Sequence, residues 1–184
     1  VRRSAPKEWL TWAQRFELKR LVYRPGAERL TEDGGYNAWR GWGVEPRRGS
    51  VAPWRDLLDH LFTGAVAARR WFEAWAAYPL QHPGTKLYSA VLLHGELTGT
   101  GKSLIGESLA WIYGENAITI GQADLHGDFN AWAARKQFVL GDEISGSDKR
   151  AEADALKAMI TRLAVTINEK YKPQYTIEDC VNYY

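Results

Sequence analysis

The chain has a single cysteine, Cys180, among 184 residues. No internal disulfide can form, so a reducing compartment and a small core side chain are the expectation. The four histidines, His126 included, show no metal-ligand spacing with Cys180 or with one another, and they read as ordinary residues. No secretory apolar segment opens the chain, and no apolar run approaches the length of a membrane span. A soluble, cytoplasmic protein with no membrane partner is therefore expected. Internal repeats and low-complexity tracts are also missing. The first residue is Val1 rather than methionine, and Tyr184 ends the chain inside an apolar run, as expected of an excerpt from a longer protein.

What remains is enough for one sizeable core and an accessory piece. Apolar residues make up 45% of the chain, which excludes a disordered polypeptide. The net charge of +2 conceals an asymmetry: residues 1–55 carry 12 Lys/Arg against 6 Asp/Glu, and residues 56–184 carry 12 against 16. A basic front beside an acidic body suits an anionic partner near the N-terminus, or is scattered solvated charge.

The most informative stretch runs from Val91 to Ile105. An apolar run leads into Gly95-Glu-Leu-Thr-Gly-Thr-Gly-Lys-Ser103, and a helix-forming run follows. A phosphate-binding loop needs those parts in that order: a strand to anchor it, glycines to let backbone N–H groups curl around an anion, and a helix N-terminus behind. The expected nucleotide contacts are Gly99, Thr100, Gly101, Lys102, Ser103 and Leu104. Lys102 would reach the β- and γ-phosphates, and the Ser103 hydroxyl would bind Mg²⁺. One position departs from the strict pattern, since Glu96 stands where the first glycine should fall.

About 40 residues further on, Gln137-Phe-Val-Leu140 reads as a buried strand leading to Asp142 and Glu143. In ring-type nucleoside triphosphatases such a pair divides its labour. The first carboxylate holds Mg²⁺, and the second orients and deprotonates the attacking water. Asp142, Glu143 and Lys102 are thus the candidate catalytic residues, and Ser103 and Asp142 the candidate metal ligands.

Around this centre the periodicities predict a helix within Glu8 to Val22 and turns from Arg24 to Ser50. A helix starts at Pro53, and another spans residues 65–78 and ends at Pro79. Strands are expected at 87–94, 117–120 and 137–140. Helices are expected at 103–113, at 129–135 behind an Asp128 cap, and from Ser147 or Asp148 to Thr161, with Ala153, Leu156, Met159 and Ile160 inward. Trp39 and Trp42, in a basic and aromatic patch with Arg40, Arg47 and Arg48, read better as a small aromatic mini-core than as base-stacking rings. Ala164 to Ile177 alternates on both sides of a polar tip, Glu169-Lys-Tyr-Lys-Pro173, and predicts a β-hairpin. Lys170, Tyr171 and Lys172 at that tip form either a stacking platform flanked by phosphate binders or a plain solvated turn. Asp179–Tyr184 reads as the next core strand.

Taken in order, Leu93–Ser103, Phe129-Asn-Ala-Trp132, Gln137–Glu143, Leu156–Thr161 and Val181-Asn-Tyr-Tyr184 resemble superfamily 3-type helicase domains of bacteriophage and prophage primase–helicase proteins. Tyr36–Trp42 and Trp71–Trp75 are similar to the segment preceding those domains. The resemblance implies an α/β fold: a three-layer phosphate-loop (AAA+-like) sheet core with a β-hairpin insertion, behind a mostly helical N-terminal segment. The divisions expected are 1–50 (basic, aromatic-rich), 51–84 (helical lead-in) and 85–184 (core). It also implies ATP and Mg²⁺ as cofactors, a homo-oligomeric ring, usually a hexamer, and translocation on single-stranded DNA beside a fused or associated primase or polymerase module. The hairpin residues Lys170, Tyr171 and Lys172 would then grip DNA. A polar residue after the next strand and an arginine from the neighbouring subunit are expected beyond Tyr184, so the isolated piece should hydrolyse ATP poorly. Two rival functions are a nucleotide-binding assembly switch without motor activity and a DNA-packaging type ATPase.

Overall fold

The computed structural model describes residues 4–95, 97–127, 129–142 and 149–184. It is a mixed helix-and-strand protein with small sheets, and it divides into two compact units, Val1–Trp39 and Arg40–Tyr184.

The first unit holds helix α1 (Ala5–Thr11) and strands β1 (Arg20–Val22) and β2 (Gly35–Asn37), which pair in parallel. The helix expected over 8–22 is therefore shorter and starts earlier. It buries none of its residues, and the Thr11 hydroxyl donates to the carbonyls of Lys7 and Glu8, closing its last turn. A helix this short has little to hold it beyond local bonds. The chain instead organises around Asn37, which is fully buried. Its amide donates to the carbonyls of Arg24 and Ala27, and its oxygen accepts from the N–H groups of Arg24 and Trp39. Asp33 pairs with Arg20 and Arg24, so part of the N-terminal positive charge is neutralised locally.

In the second unit, α2 (Ala52–Leu61) and α3 (Val66–Gln81) follow one another, and the Phe72 ring of α3 packs against Trp54 and Phe62. Pro53 stands in the first turn of α2, where its missing N–H costs nothing. Contrary to expectation, α3 runs through Pro79. That ring is buried in the core, and the His82 N–H closes the final turn on the Tyr78 carbonyl. Next come α4 (Lys102–Tyr113), β3 (Ala117–Ile120), α5 (Gln122–His126), β4 (Phe138–Gly141) and α6 (Lys149–Thr161). Strands β5 (Ala164–Ile167) and β6 (Tyr175–Glu178) pair antiparallel as the expected hairpin, and β7 (Asn182–Tyr183) follows.

Strands β3, β4 and β7 lie side by side in that order, all parallel. Alternation along β4 sends Phe138 and Leu140 to one face and Val139 to the other. The first face packs on α2, α3 and α4 through Leu58, Phe72, Trp75, Ile105, Leu109 and Tyr113. The second gathers Ile120, Val181 and Tyr183, with Met159 and Ile160 of α6 against them. Leu156 is half-buried, and Ala153, expected inward, is exposed. Burial on both faces explains the unbroken apolar run at 138–140. Gly106 lets α4 approach closely: a Cβ there would lie 2.5 Å from Leu140 Cδ1 and 2.7 Å from Tyr184 Cε1. Trp42 packs edge-on against Tyr113, with ring centres 5.2 Å apart, so it joins the main core rather than a separate aromatic mini-core.

Two expected elements are replaced. Residues 87–94 run beside β7, where Val91 N–H donates to the Tyr183 carbonyl at 3.1 Å, yet they form no strand. Buried amide side chains hold the start of this segment and the residues before it: Asn182 Oδ1 accepts from Leu87 N–H, Asn182 Nδ2 donates to the Thr85 carbonyl, and Gln137 Oε1 accepts from Gly84 N–H. No helix forms over 129–135 either. Ala131–Ala133 is a single 3₁₀ turn, because Asn130 is bound on both its amide atoms and its N–H to Thr166 and Asn168 beside the hairpin. Arg135, at φ 59°, then turns the chain out of helical geometry. The expected cap Asp128 lies outside the described residues, as do Ser147 and Asp148.

Candidate functional site

The glycine-rich loop ends on Gly101, which has φ 94° and serves as the N-cap of α4. Gly99 has φ 71°. Only glycine adopts such angles without strain, and two of them so close together fold the loop back over the start of the helix. Lys102 is the first residue of α4, and its ammonium turns back into the loop. It donates to the Leu97 carbonyl at 2.8 Å and to Thr100 Oγ1 at 3.0 Å. An ammonium inside a glycine loop at a helix N-terminus is the arrangement an oligophosphate needs, with both the full charge and the helix dipole favouring an anion. The cleft beside it, about 310 Å³, is lined by His60 and Leu61 of α2, Leu93, His94, Gly95, Leu97, Thr100 and Lys102. Ser103 and Leu104 follow in the first turn of α4 and are exposed.

Sequence reasoning did not find the contribution of α2. Leu57 lies so close to Gly101 that a Cβ there would meet Leu57 Cδ1 at 2.7 Å. His60 and Leu61, on the next turn, form one wall of the cleft. The apolar stripe of α2 announced packing, but nothing local in sequence told which element it would meet.

Asp142 is exposed at the C-terminal end of β4, and its N–H donates to the Ile120 carbonyl at 3.0 Å. Tyr184 ties this strand end to the loop. Its hydroxyl donates to the Lys102 carbonyl at 2.6 Å, and its own carbonyl accepts from Gly141 N–H at 2.7 Å. Lys102 and Asp142 are thus held through one residue at the same end of the sheet. Glu143, the expected general base, lies outside the described residues.

The hairpin tip stands apart from this centre. Its strands pack with Ala133 in a separate small core of Val165 and Ile167. Tyr171 is 91% exposed, and at φ 65° it makes the turn. Lys170 Nζ sits 5.1 Å from the Tyr171 ring centre, and Lys172 Nζ pairs with Glu169 at 2.8 Å. An open ring with a cation over its face can stack on a base, while the second cation carries its own counter-charge. Of the other basic candidates, Arg40 faces Glu115 at 3.9 Å, and Arg47 and Arg48 are exposed.

Among the described residues no three His, Cys, Asp or Glu side chains cluster as metal ligands, and no helix is long and apolar enough to cross a membrane. The model for a family of unknown function, DUF5906, matches residues 93–184, half of the chain. The chain belongs to that family. The match opens just before the glycine-rich loop and runs through the hairpin to Tyr184, so loop, acidic strand and hairpin all fall within the family's span. The fold is also similar to apo structures of the C-terminal region of NrS-1. One, spanning residues 305–718 of that protein, has a TM-score of 0.78 at 25% identity and covers 89% of this chain and 41% of that one. A second, in an A form, gives 0.76 with the same identity and coverage, and a third gives 0.73. This chain therefore spans about two fifths of the length of the solved chains it matches. No curated protein matches it.

Proposed function

We propose that the chain is the nucleotide-binding core of an ATP-dependent helicase domain in a phage-type replication protein. In this reading it has a three-layer phosphate-loop fold, works in a ring on single-stranded DNA, and sits beside a primase or polymerase module. The observation that carries the proposal is the Lys102 ammonium folded into a glycine loop at the N-terminus of α4, with the acidic end of β4 tied to it through Tyr184. The likeness to the NrS-1 C-terminal region covers 89% of this chain, so the fold it shares extends beyond the glycine-rich loop to the helices preceding it.

The residues fit a triphosphate. Gly99, Thr100 and Gly101 shape the cradle, and Lys102 would exchange the Leu97 carbonyl and the Thr100 hydroxyl for β- and γ-phosphate oxygens. Ser103 and Asp142 are the residues that would hold Mg²⁺, which supplies charge neutralisation between the phosphates. Glu143 would take a proton from the attacking water as its oxygen bonds to the γ-phosphorus and the bond to the β-phosphate oxygen breaks. Lys170, Tyr171 and Lys172 would carry the DNA contact.

Calorimetric titration with ATP and Mg²⁺ tests the core of this reading. Lys102→Ala should lose about 1.5–3 kcal/mol of binding, since a charge-assisted phosphate contact is removed. Equal affinity in both proteins would refute the phosphate-loop assignment.

A further inference from the structure

Among the described residues of the second unit, the most deeply buried charges lie outside the candidate site. The side chains of Lys86 and Asp179 are 5% and 0% exposed, and Lys86 Nζ stands 3.1 Å from Asp179 Oδ2. The same ammonium donates to the carbonyls of Met159 and Val181 at 3.2 Å each, so its three hydrogens are all used. Asp179 Oδ2 also accepts from Arg162 Nε at 2.6 Å, and Asp179 Oδ1 accepts from Val181 N–H at 2.9 Å. Arg162 Nη2 donates to the Tyr183 hydroxyl at 3.1 Å, and the Lys86 ammonium lies 5.3 Å from the Tyr183 ring centre.

Such a cluster is costly to bury and contributes little net stability compared with a packed apolar core. Its usual worth lies in fixing one arrangement of the elements that supply it. Burial favours loss of the Lys86 proton, and Asp179 opposes that loss. The elements joined here are specific. Arg162 lies two residues before β5 and Asp179 immediately follows β6, so the pair clasps the two legs of the hairpin at its base, where Asp179 N–H also donates to the Leu163 carbonyl at 3.0 Å. Lys86 begins the segment that leads to the glycine loop. Tyr183 lies in β7, and its neighbour Tyr184 points to the opposite face of the sheet, where its hydroxyl meets the Lys102 carbonyl.

We infer that Arg162, Asp179, Lys86 and Tyr183 are positioning residues that couple the hairpin to the nucleotide site, with the Tyr183-Tyr184 step of β7 as the link. A shift of the Lys102 turn on nucleotide binding pulls on Tyr184. The strand carries it to Tyr183, and the guanidinium of Arg162 passes it to the hairpin base. This rests on the nucleotide reading of Lys102 given above.

The test is amide hydrogen exchange in residues 164–167 and 175–178 of the full-length protein, with and without a non-hydrolysable ATP analogue and Mg²⁺. It is run beside calorimetry of the same analogue. Coupling between sites is commonly worth about 5–150-fold, so the analogue should change hairpin exchange by about fivefold or more in the wild type. Tyr183→Phe removes one hydroxyl and keeps the ring. It should bind the analogue with wild-type affinity yet reduce that ratio to near one. Arg162→Lys keeps the charge beside Asp179 but cannot also reach Tyr183, and it should behave likewise. A residue that only stabilised the hairpin would alter exchange equally in both states and leave the ratio intact. Analogue binding with no change in hairpin exchange, or a wild-type ratio in both variants, would overturn the coupling while leaving the nucleotide reading standing. No analogue binding by the wild type would overturn that reading, and the coupling with it.

Discussion

The Tyr184 hydroxyl donates to the Lys102 carbonyl at 2.6 Å, while the Tyr184 carbonyl accepts from Gly141 one residue before Asp142. The first turn of the loop helix and the end of β4 are thereby fixed to one residue, the helix through its side chain and the strand through its backbone. Tyr184→Phe keeps the ring in the core and deletes only the hydroxyl. The variant should lose about 0.5–1.5 kcal/mol in urea unfolding, and its ATP affinity should fall by less than that of Lys102→Ala. Unchanged stability would mean that this hydrogen bond is matched by water in the unfolded chain and fixes nothing.

Binding and chemistry should separate at the acidic pair. Glu143→Gln keeps size and hydrogen bonding but removes the base, so ATP should bind while turnover by the full-length protein drops about 10²–10⁴-fold. Asp142→Asn should weaken the Mg²⁺-dependent part of binding instead. Steady-state hydrolysis of Glu143→Gln at the wild-type rate would take the base role away from Glu143.

Cys180 reports on folding. Burial, with the neighbouring Asp179 charge, pushes its thiol from 9.0 up to about 12, and Sγ donates to the Lys136 carbonyl. The folded protein should therefore resist thiol reagents at pH 8 and react only on unfolding. The unfolded state releases this proton near 9.0 and the folded state near 12, so the thiol leaves stability level below pH 9 and lowers it as pH rises toward 12. Comparing the alkaline slope of unfolding free energy in wild type and Cys180→Ala isolates that contribution. Identical slopes would place the thiol in water.

The elements that sequence foretold well are those whose pattern is local. The α4 helix, β3, β4 and the β5–β6 hairpin each carry their own periodicity or turn chemistry, and the glycines before Lys102 dictate the loop's backbone. The failures came from long-range side-chain bonds. Asn182 takes the Leu87 N–H at the start of the expected strand, Asn182 and Gln137 hold Thr85 and Gly84 just before it, and Asn130 holds the 129–135 segment against the hairpin. Neither pattern shows in a window of neighbouring residues. The wall that α2 adds to the cleft and the buried Lys86–Asp179 pair, 93 positions apart, were illegible for the same reason.

The two hairpin lysines should contribute unequally to DNA binding. Lys170→Ala should lower the salt slope of single-stranded DNA binding by about 0.7 per subunit engaged. Lys172→Ala should lower it by less, because Glu169 already neutralises that charge in the free protein. Filter binding across a salt series checks this. Equal slopes in wild type and both variants would return the tip to a plain solvated turn and move the DNA site toward Arg40, Arg47 and Arg48.

The central claim is that this core couples nucleotide turnover to single-stranded DNA, and ATP hydrolysis by the full-length protein with and without an oligo-dT strand tests it most directly. The account predicts that DNA stimulates hydrolysis in the wild type, that Lys102→Ala abolishes activity in both conditions, and that the double Lys170→Ala, Lys172→Ala variant keeps basal hydrolysis but loses the stimulation. Hydrolysis that ignores DNA in the wild type would contradict the motor, leaving a nucleotide switch or an ATPase that moves another cargo.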